Sequence, residues 1–334
     1  MVLIGQSLYE VSDATHPKLL CTISNTSAHL YTADTFTYIR WSGEGTEVVL
    51  HSIGSGNESV ISGFTLALLR PSWGGFGAFS PDGTVAANAV AGTDGSGNQT
   101  IQIWLFSGRS VGELYEFLQP LTDCICRFGI PPPVLAFSAD GQYLVSGWPV
   151  GKGATPFAVY RVADRVRVAS FDPSTSFAAW DWTGHHLYVS GMAGSQSWTP
   201  ETGAVVLKSA TQWPYDAGTS PDGAGVAYTA YVDPADPKTL RVYAYDFAGA
   251  SSRLLVNRLR SEVVFVKPGW VWYLEEAACD PAAPNCAPWG TAPTGRVFAM
   301  DLKVGAETPV VFASPQTTSS PNFDWGPGEF WPKS

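Results

Sequence analysis

Phe79-Ser-Pro-Asp-Gly83, Phe137-Ser-Ala-Asp-Gly141 and Thr219-Ser-Pro-Asp-Gly223 are three copies of one phrase. An aromatic residue, or Thr in the third copy, ends a strand. Pro presets φ for the first turn position, Asp supplies a side-chain acceptor, and Gly supplies the positive φ that a tight turn needs. Weaker copies stand at Trp41-Ser-Gly-Glu-Gly45, Trp180-Asp-Trp-Thr-Gly184, Phe265-Val-Lys-Pro-Gly269 and Asp324-Trp-Gly-Pro-Gly328. The closing glycines lie 38 to 59 residues apart. Such a period, carried by strand-like segments, means stacked or radial repeats, most often one blade of a β-propeller per repeat.

A strand follows each turn at once. Thr84–Val90, Tyr143–Trp148, Leu187–Gly191 and Val226–Tyr231 are rich in β-branched, aromatic and small residues, as a strand covered on both faces should be. Period-two segments come next, at Ile101–Phe106, Phe157–Val162, Leu240–Tyr245 and Arg296–Asp301. Short fourth strands are expected at Val166–Ser170, Ala204–Leu207 and Pro309–Phe312. Four strands per repeat is the content of one blade. Helical periodicity is nearly absent; Val111–Leu118 is the best short helix candidate and reads equally as an outer strand.

These residues resemble the TolB-like, or WD40-like (PD40), propeller repeats, whose blades open with a phrase close to Phe-Ser-Pro-Asp-Gly before an apolar strand. The resemblance spans nearly the whole chain and is one of scaffold. Blades of this kind occur in periplasmic binding proteins, in the lids of prolyl oligopeptidases and in exported proteins. The Gly-His and Trp-Asp signatures of eukaryotic WD40 blades are not repeated: each dipeptide occurs once, as Gly184-His185 and Trp180-Asp181.

The expected fold is therefore all-β: one domain, residues 1–334, forming a seven-bladed propeller of four-stranded antiparallel blades, with six blades as the alternative. The chain ends six residues after Gly328, leaving no room for outer strands in the last repeat. Ser7–Val11 and Leu19–Ile23 match third and fourth strands. One blade is then shared by the two ends, with residues 2–23 pairing with Phe323–Trp331, which closes the ring and removes open sheet edges.

With 334 residues, 45% of them hydrophobic, the chain can bury a large core. No apolar run is long enough for a transmembrane helix, and no charged and apolar leader begins the chain. Net charge is −10 with 19 Lys and Arg, so no basic stripe points to nucleic acid. Few charges and abundant Gly, Ser, Thr, Pro and Trp fit an exported bacterial protein, extracellular or periplasmic, or the soluble part of an anchored one. Cys279-Asp-Pro-Ala-Ala-Pro-Asn-Cys286 reads as a loop stapled by a disulfide. Zinc is the alternative, but no His stands nearby. Cys124-Ile-Cys126 leaves its pairing open, and Cys21, in an apolar strand, reads as a buried free thiol.

The search for chemistry returns mostly turns. Gly108-Arg-Ser110-Val-Gly112 has the spacing of a hydrolase nucleophile elbow but falls where the repeat places a turn between strands. Asp82, Asp140 and Asp222 are turn formers. His185 and His186 are adjacent on a strand and face opposite ways, so they do not share a metal. Glu275 and Glu276 diverge for the same reason, and the loops Asp94–Asn98 and Asp233–Asp236 lack EF-hand spacing. No metal, cofactor or catalytic residue is expected.

Function is expected where the long loops gather, on the face carrying the connections between blades and from second to third strands. There stand Trp73, Trp148, Trp213, Tyr215 and Trp289, candidate contacts for a protein or glycan partner. Trp41, Trp104, Trp180 and Trp272 read instead as blade packing. The expected role is a monomeric, non-catalytic binding module. The alternatives are a carbohydrate-active hydrolase or lyase with acids at the channel mouth, and a structural extracellular domain of a larger protein.

Overall fold

The computed structural model describes residues 2–4, 7–22, 29–30, 35–42, 45–52, 55–60, 77–80, 84–93, 96, 99–107, 110–119, 134–147, 157–171, 175–181, 184–191, 194–207, 214–233, 235–283, 286 and 290–312. Within them the chain forms antiparallel sheets, each a meander in which neighbours in sequence are neighbours in space. The first sheet has three strands, β1 (Val2–Ile4), β2 (Ser7–Glu10) and β3 (Lys18–Thr22). Six four-stranded sheets follow. The second holds β4 (His29–Leu30), β5 (Thr35–Ser42), β6 (Gly45–Ser52) and β7 (Glu58–Val60). The third holds β8 (Gly77–Phe79), β9 (Val85–Thr93), β10 (Gln99–Ser107) and β11 (Ser110–Gln119). The fourth holds β12 (Val134–Phe137), β13 (Tyr143–Gly147), β14 (Ala158–Arg161) and β15 (Arg167–Ser170). The fifth holds β16 (Thr175–Trp180), β17 (Leu187–Gly191), β18 (Gly194–Thr199) and β19 (Gly203–Val206). The sixth holds β20 (Pro214–Thr219), β21 (Gly225–Tyr231), β22 (Leu240–Asp246) and β23 (Ser251–Val256). The seventh holds β24 (Arg260–Lys267), β25 (Trp270–Ala278), β26 (Thr291–Asp301) and β27 (Ala306–Pro309).

The first strands β8, β12, β16, β20 and β24 touch one another in succession, so they form the inner edge. Second strands are covered on both faces: every residue of β13 and of β17 is buried. Outer strands β15 and β19 are largely exposed. The inner edge is stitched by side chains that donate to the neighbouring sheet. Trp180 Nε1 donates to Ala136 O (2.8 Å), and Thr219 Oγ1 donates to Trp180 O (2.6 Å). Between the sixth and seventh sheets the approach is closer still: a Cβ on Gly218 would lie 3.2 Å from Val264 Cα. Apolar layers fill the gaps, with Phe157, Val189 and Trp198 between the fourth and fifth sheets and Val242, Phe265 and Tyr273 between the sixth and seventh.

The first sheet packs on the seventh. Tyr9, Val11 and Ala14 form one cluster with Val264, Trp272 and Val297. Trp272, fully buried, donates through Nε1 to Ala14 O (2.8 Å), and Lys267 Nζ donates to Ser12 O (2.8 Å). The chain leaving β27 joins them: Val311 N donates to Thr15 O, and the Phe312 ring stands edge-on to both Tyr9 and Trp272.

Several expectations change in detail. Val111–Leu118 lies within the strand β11. The fourth strand expected at Pro309–Phe312 is Ala306–Pro309: Val310 N still donates to Val297 O (2.9 Å) in its own sheet, and from Val311 on the chain turns to the first one. A strand the pattern did not show, β1, precedes β2 in the first sheet. Cys21 is a free thiol but only half-buried. Trp180 and Trp272 are core residues as expected, whereas Trp104 is half-buried. Cys124, Cys126, Gly83, Gly328 and the segment Phe323–Trp331 lie outside the described residues.

The repeated turn owes as much to its serine as to its Asp-Gly. Ser80, Ser138 and Ser220 are all buried. Each donates its backbone N–H five residues on, to Val85 O, Tyr143 O and Gly225 O. Ser80 Oγ and Ser138 Oγ accept the returning N–H groups of Val85 and Tyr143. Ser138 Oγ also donates to Asp140 Oδ1 (2.5 Å), Ser220 Oγ likewise to Asp222 Oδ1, and each Asp accepts an N–H two residues on. Gly141 and Gly223 take the positive φ (70° and 68°). In the weaker fifth-sheet copy, Asp181 replaces the serine and its N–H donates to His186 O.

Candidate functional site

Ser-x-Asp-Gly turns close one end of the fourth and sixth sheets, and the Asp181 turn closes the same end of the fifth. At the opposite end the inner strands begin, and there lie the described residues between β21 and β22 (232–233 and 235–239) and between β25 and β26 (279–283, 286 and 290). Three inner strands carry an irregularity at this rim. In β16, Thr175 and Phe177 pair with the consecutive residues Gly191 and Ser190, so Ser176 is extra. In β20, Pro214 and Asp216 pair with Ala230 and Thr229, so Tyr215 is extra. In β24, Glu262 and Val263 stand opposite Tyr273 alone, and Glu262 adopts a φ of 51°. A bulge turns one residue out of the ladder's alternation and is enriched at barrel rims and beside sites. A non-glycine residue at positive φ stores local strain. Tyr215, a candidate from the sequence, is thus one of three bulged positions at the same level of neighbouring sheets.

The rim of the seventh sheet is held by a buried arginine. Arg260 is 2% exposed, and its guanidinium lies over the rings of Phe298 (4.7 Å) and Tyr273 (5.9 Å). Its Nε donates to Glu307 Oε1 (3.1 Å), with Nη2 on the same oxygen. Its Nη1 donates to Leu259 O and lies 3.6 Å from Glu275. Glu275 also accepts from Thr294 Oγ1 (2.9 Å) and Arg296 Nη1 (3.3 Å), and Glu276 accepts from Ser261 Oγ (2.7 Å). The two adjacent carboxylates do diverge, and both are engaged in holding strands together.

Above this rim, Cys279 and Cys286 form a disulfide with Cα atoms 5.8 Å apart. The loop closes on itself through Cys279 N to Gly290 O (3.0 Å), Ala283 N to Asp280 O (2.8 Å) and Cys286 N to Ala283 O (3.1 Å). It leans on the sixth sheet: a Cβ on Gly290 would lie 3.5 Å from Lys238 Cε. Lys238 belongs to the single turn of 3₁₀ helix Pro237–Thr239, which Asp236 caps by accepting from Lys238 N (3.0 Å). Asp233 likewise accepts from Ala235 N (2.9 Å), so both acids of that loop serve as backbone caps. Trp73, Trp148, Trp213 and Trp289 lie outside the described residues, and Tyr215 is described in its backbone only.

The turn end holds a second constellation, where the sequence showed only two histidines facing opposite ways. Ala139 N donates to Gly184 O (2.9 Å), joining the fourth-sheet turn to the fifth-sheet turn. Beside it His185 Nδ1 lies 2.6 Å from Asp140 Oδ2, and Nε2 lies 3.4 Å from Glu201 Oε1. A carboxylate only accepts, so Nδ1 carries the proton. His186 faces the other way, 3.6 Å from Asp181 and with its ring 4.9 Å from Phe247 of the sixth sheet. The signal was present in sequence: an acid at one turn and a His one place past the glycine of the next.

The bond to Asp140 raises the His185 pKa above 6.5 against the opposing effect of burial. For Asp140, burial pushes the pKa up, but hydrogen bonds from His185, Ser138 and Gln142 N outweigh it and hold it below 3.8. The His term is therefore present below pH 6.5 and lost as pH rises through the raised value, while the Asp term is lost as pH falls through its depressed value. The clasp stabilises most between those limits, by under about 1 kcal/mol because both groups are partly exposed. A proton NMR titration should find His185 titrating above 6.5, and Asp140→Asn should bring it down. An unchanged His185 titration in that variant would refute the clasp.

Gly108-Arg-Ser110-Val-Gly112 falls at a strand junction: β10 ends at Ser107, β11 begins at Ser110, and these two residues pair. Among the described residues no three His, Cys, Asp or Glu side chains come together as a metal site would require.

Solved structures that this chain is similar to are propellers. It superposes on TolB from Acinetobacter baumannii with a TM-score of 0.42 and 13% identity, over 91% of this chain and 59% of that one. Against a prolyl endopeptidase the TM-score is 0.50 with 13% identity, over 91% of this chain and 46% of that one. Against the WD40 repeats of RRP9 it is 0.43 with 14% identity, over 93% and 85%. The chain thus spans about 59% of the length of the TolB structure and less of the endopeptidase. No family model and no curated protein matches the sequence. Likeness at this identity is one of fold: an all-β protein of four-stranded antiparallel sheets whose overlay on the prolyl endopeptidase reaches a TM-score of 0.50.

Proposed function

We propose that the chain is a non-catalytic binding module whose docking surface is the loop-rich end of a seven-bladed ring, residues 1–334 forming one domain. The row of bulges at Ser176, Tyr215 and Glu262 carries the reading, since it breaks the inner-strand ladder at one level in three successive sheets. A rigid rim supports it, because Arg260 and its carboxylates tie the strands beneath, and the disulfide restrains the ends of the loop before a partner arrives. The partner is a protein or a glycan, met by Tyr215 and the loop tryptophans Trp73, Trp148, Trp213 and Trp289. The three-stranded first sheet takes its missing inner strand from Phe323–Trp331, which closes the ring. The disulfide fits an oxidising location, periplasmic or extracellular.

Pull-down from secreted and periplasmic fractions, run beside a glycan array, tests the reading. Tyr215→Ala should weaken the captured partner by about tenfold or more, the scale of an aromatic hot spot. Retention of all partners by Tyr215→Ala and by a Trp213→Ala, Trp289→Ala double variant would sink it. Cys279→Ser should lower stability by roughly 2 kcal/mol, leave the sheets folded and weaken the same partner. Capture unchanged in Cys279→Ser would leave the loop a structural staple only.

A further inference from the structure

The last strand of each sheet is an open edge, and among the described strands of this kind all but one carry a charge. β3 has Lys18, β7 has Glu58, β11 has Glu113, β15 has Arg167, β23 has Arg253 and β27 has Glu307. A charge on an edge keeps it from pairing with another chain. β19, Gly203-Ala-Val-Val206, has none. Its Ala204, Val205 and Val206 are all exposed, Val205 to 46% and Val206 to 66%.

One bond fixes which way the free backbone groups of β19 point. Leu207 N donates to Ser195 O of β18 (2.9 Å). Direction alternates along a strand, so Val205 also turns its N–H and C=O to β18, while those of Ala204 and Val206 face outward. Among the described strands β19 pairs with β18 alone. Two donors and two acceptors are thus set on either side of one exposed valine, the pattern that a further antiparallel strand completes.

We propose that this edge is an interface between two copies of the chain, joined through β19 about a two-fold axis. Ala204 of each copy pairs with Val206 of the other, which satisfies the outward groups on both sides, and Val205 stands opposite its own counterpart. Charge selects a second copy as the occupant. At every other described edge, a strand meeting its own copy brings charges of one sign together across the seam, which opposes pairing. At β19 only Ala and Val meet. The seam is short, below the roughly 1,000 Å² of a stable interface, so the pair is weak. Each copy carries a net charge of −10, so salt strengthens the pairing by screening that repulsion. The edge lies on the outer side of the fifth sheet, and the pairing does not depend on the proposed docking rim.

Sedimentation velocity of the full chain tests it, with protein raised to about 1 mM because so small a seam pairs weakly. The dimer fraction should rise with concentration, and rise again between about 0.1 M and about 0.5 M salt. Val205→Lys sets two ammonium groups face to face and should weaken pairing about tenfold, with the thermal transition unchanged because the position is exposed. Crosslinking reads the register. Opposite residues of a non-hydrogen-bonded pair have Cα atoms about 4.5 Å apart, within reach of a disulfide. In a Cys21→Ser background, which removes the free thiol, Val205→Cys should crosslink to its own copy on mild oxidation. Val206→Cys, which faces Ala204, should not. A chain that stays monomeric at every concentration and salt overturns the proposal and leaves the edge to a strand of another protein. Undiminished pairing of Val205→Lys overturns it, as does equal crosslinking of the two cysteine variants.

Discussion

Removal of residues 1–22 should lower the melting temperature by about 10 °C or more, or abolish a cooperative transition altogether. Those residues bury Leu8, Tyr9, Val11 and Ala14, none more than 6% exposed. At roughly 1.5–3 kcal/mol for each large apolar side chain, the three larger ones account for about 5 kcal/mol or more. That is comparable to the whole stability of an ordinary domain. The deletion also strips the acceptor from the Trp272 indole and one of the two ring partners from Phe312. A buried N–H without a partner adds about 1–3 kcal/mol of loss. Differential scanning calorimetry of the truncated and full chains decides it, and equal transitions would mean that the first sheet is an appendage of the others.

Arg260→Ala should cost about 3–5 kcal/mol, more than replacing any exposed charge on the molecule. The size of the effect comes from what the substitution leaves behind. Glu307 and Glu275, with side chains 16% and 21% exposed, would lose the cation between them and keep only the exposed Arg258 (3.9 Å) and Arg296 (3.3 Å). The rings of Phe298 and Tyr273 would lose the flat group that covers them. Arg260→Met tests the mechanism, because it keeps the stem and removes the charge. If uncompensated carboxylates dominate, adding Glu307→Gln to Arg260→Met recovers much of the loss in urea denaturation. A single-variant cost under about 1 kcal/mol would show that the network is as weak as a surface ion pair.

The turns are legible in sequence because their chemistry is local. Asp-Gly and Pro-Asp-Gly dictate backbone angles within a few residues, so each copy marks where an inner strand ends. Second strands are legible because burial on both faces leaves runs such as Tyr143–Gly147 and Leu187–Gly191 without polar alternation. The serine of the phrase recurs as plainly as its aspartate, yet its burial and double hydrogen bonding depend on a turn that folds back over it. Arg260 gives no signal, since its partners come from β25 and β27 and only the sheet brings them together. The bulges at Ser176, Tyr215 and Glu262 are silent for the same reason: an extra residue shows only against its partner strand.

The bond from Trp272 to Ala14 spans 258 residues of chain, and it sets a schedule for synthesis. At roughly 5–20 residues per second, the ribosome needs about 13–50 s after Ala14 before Trp272 even exists. Throughout that interval β1–β3 have no seventh sheet to cover Tyr9 and Val11, while later sheets are already able to form one on another. Of the described sheets, the one made earliest is therefore among the last to be covered. Contacts of such long range make folding slow and leave an apolar surface open to aggregation meanwhile. A holding chaperone would find its binding segment within the first two dozen residues, and would be released when the last sheet arrives.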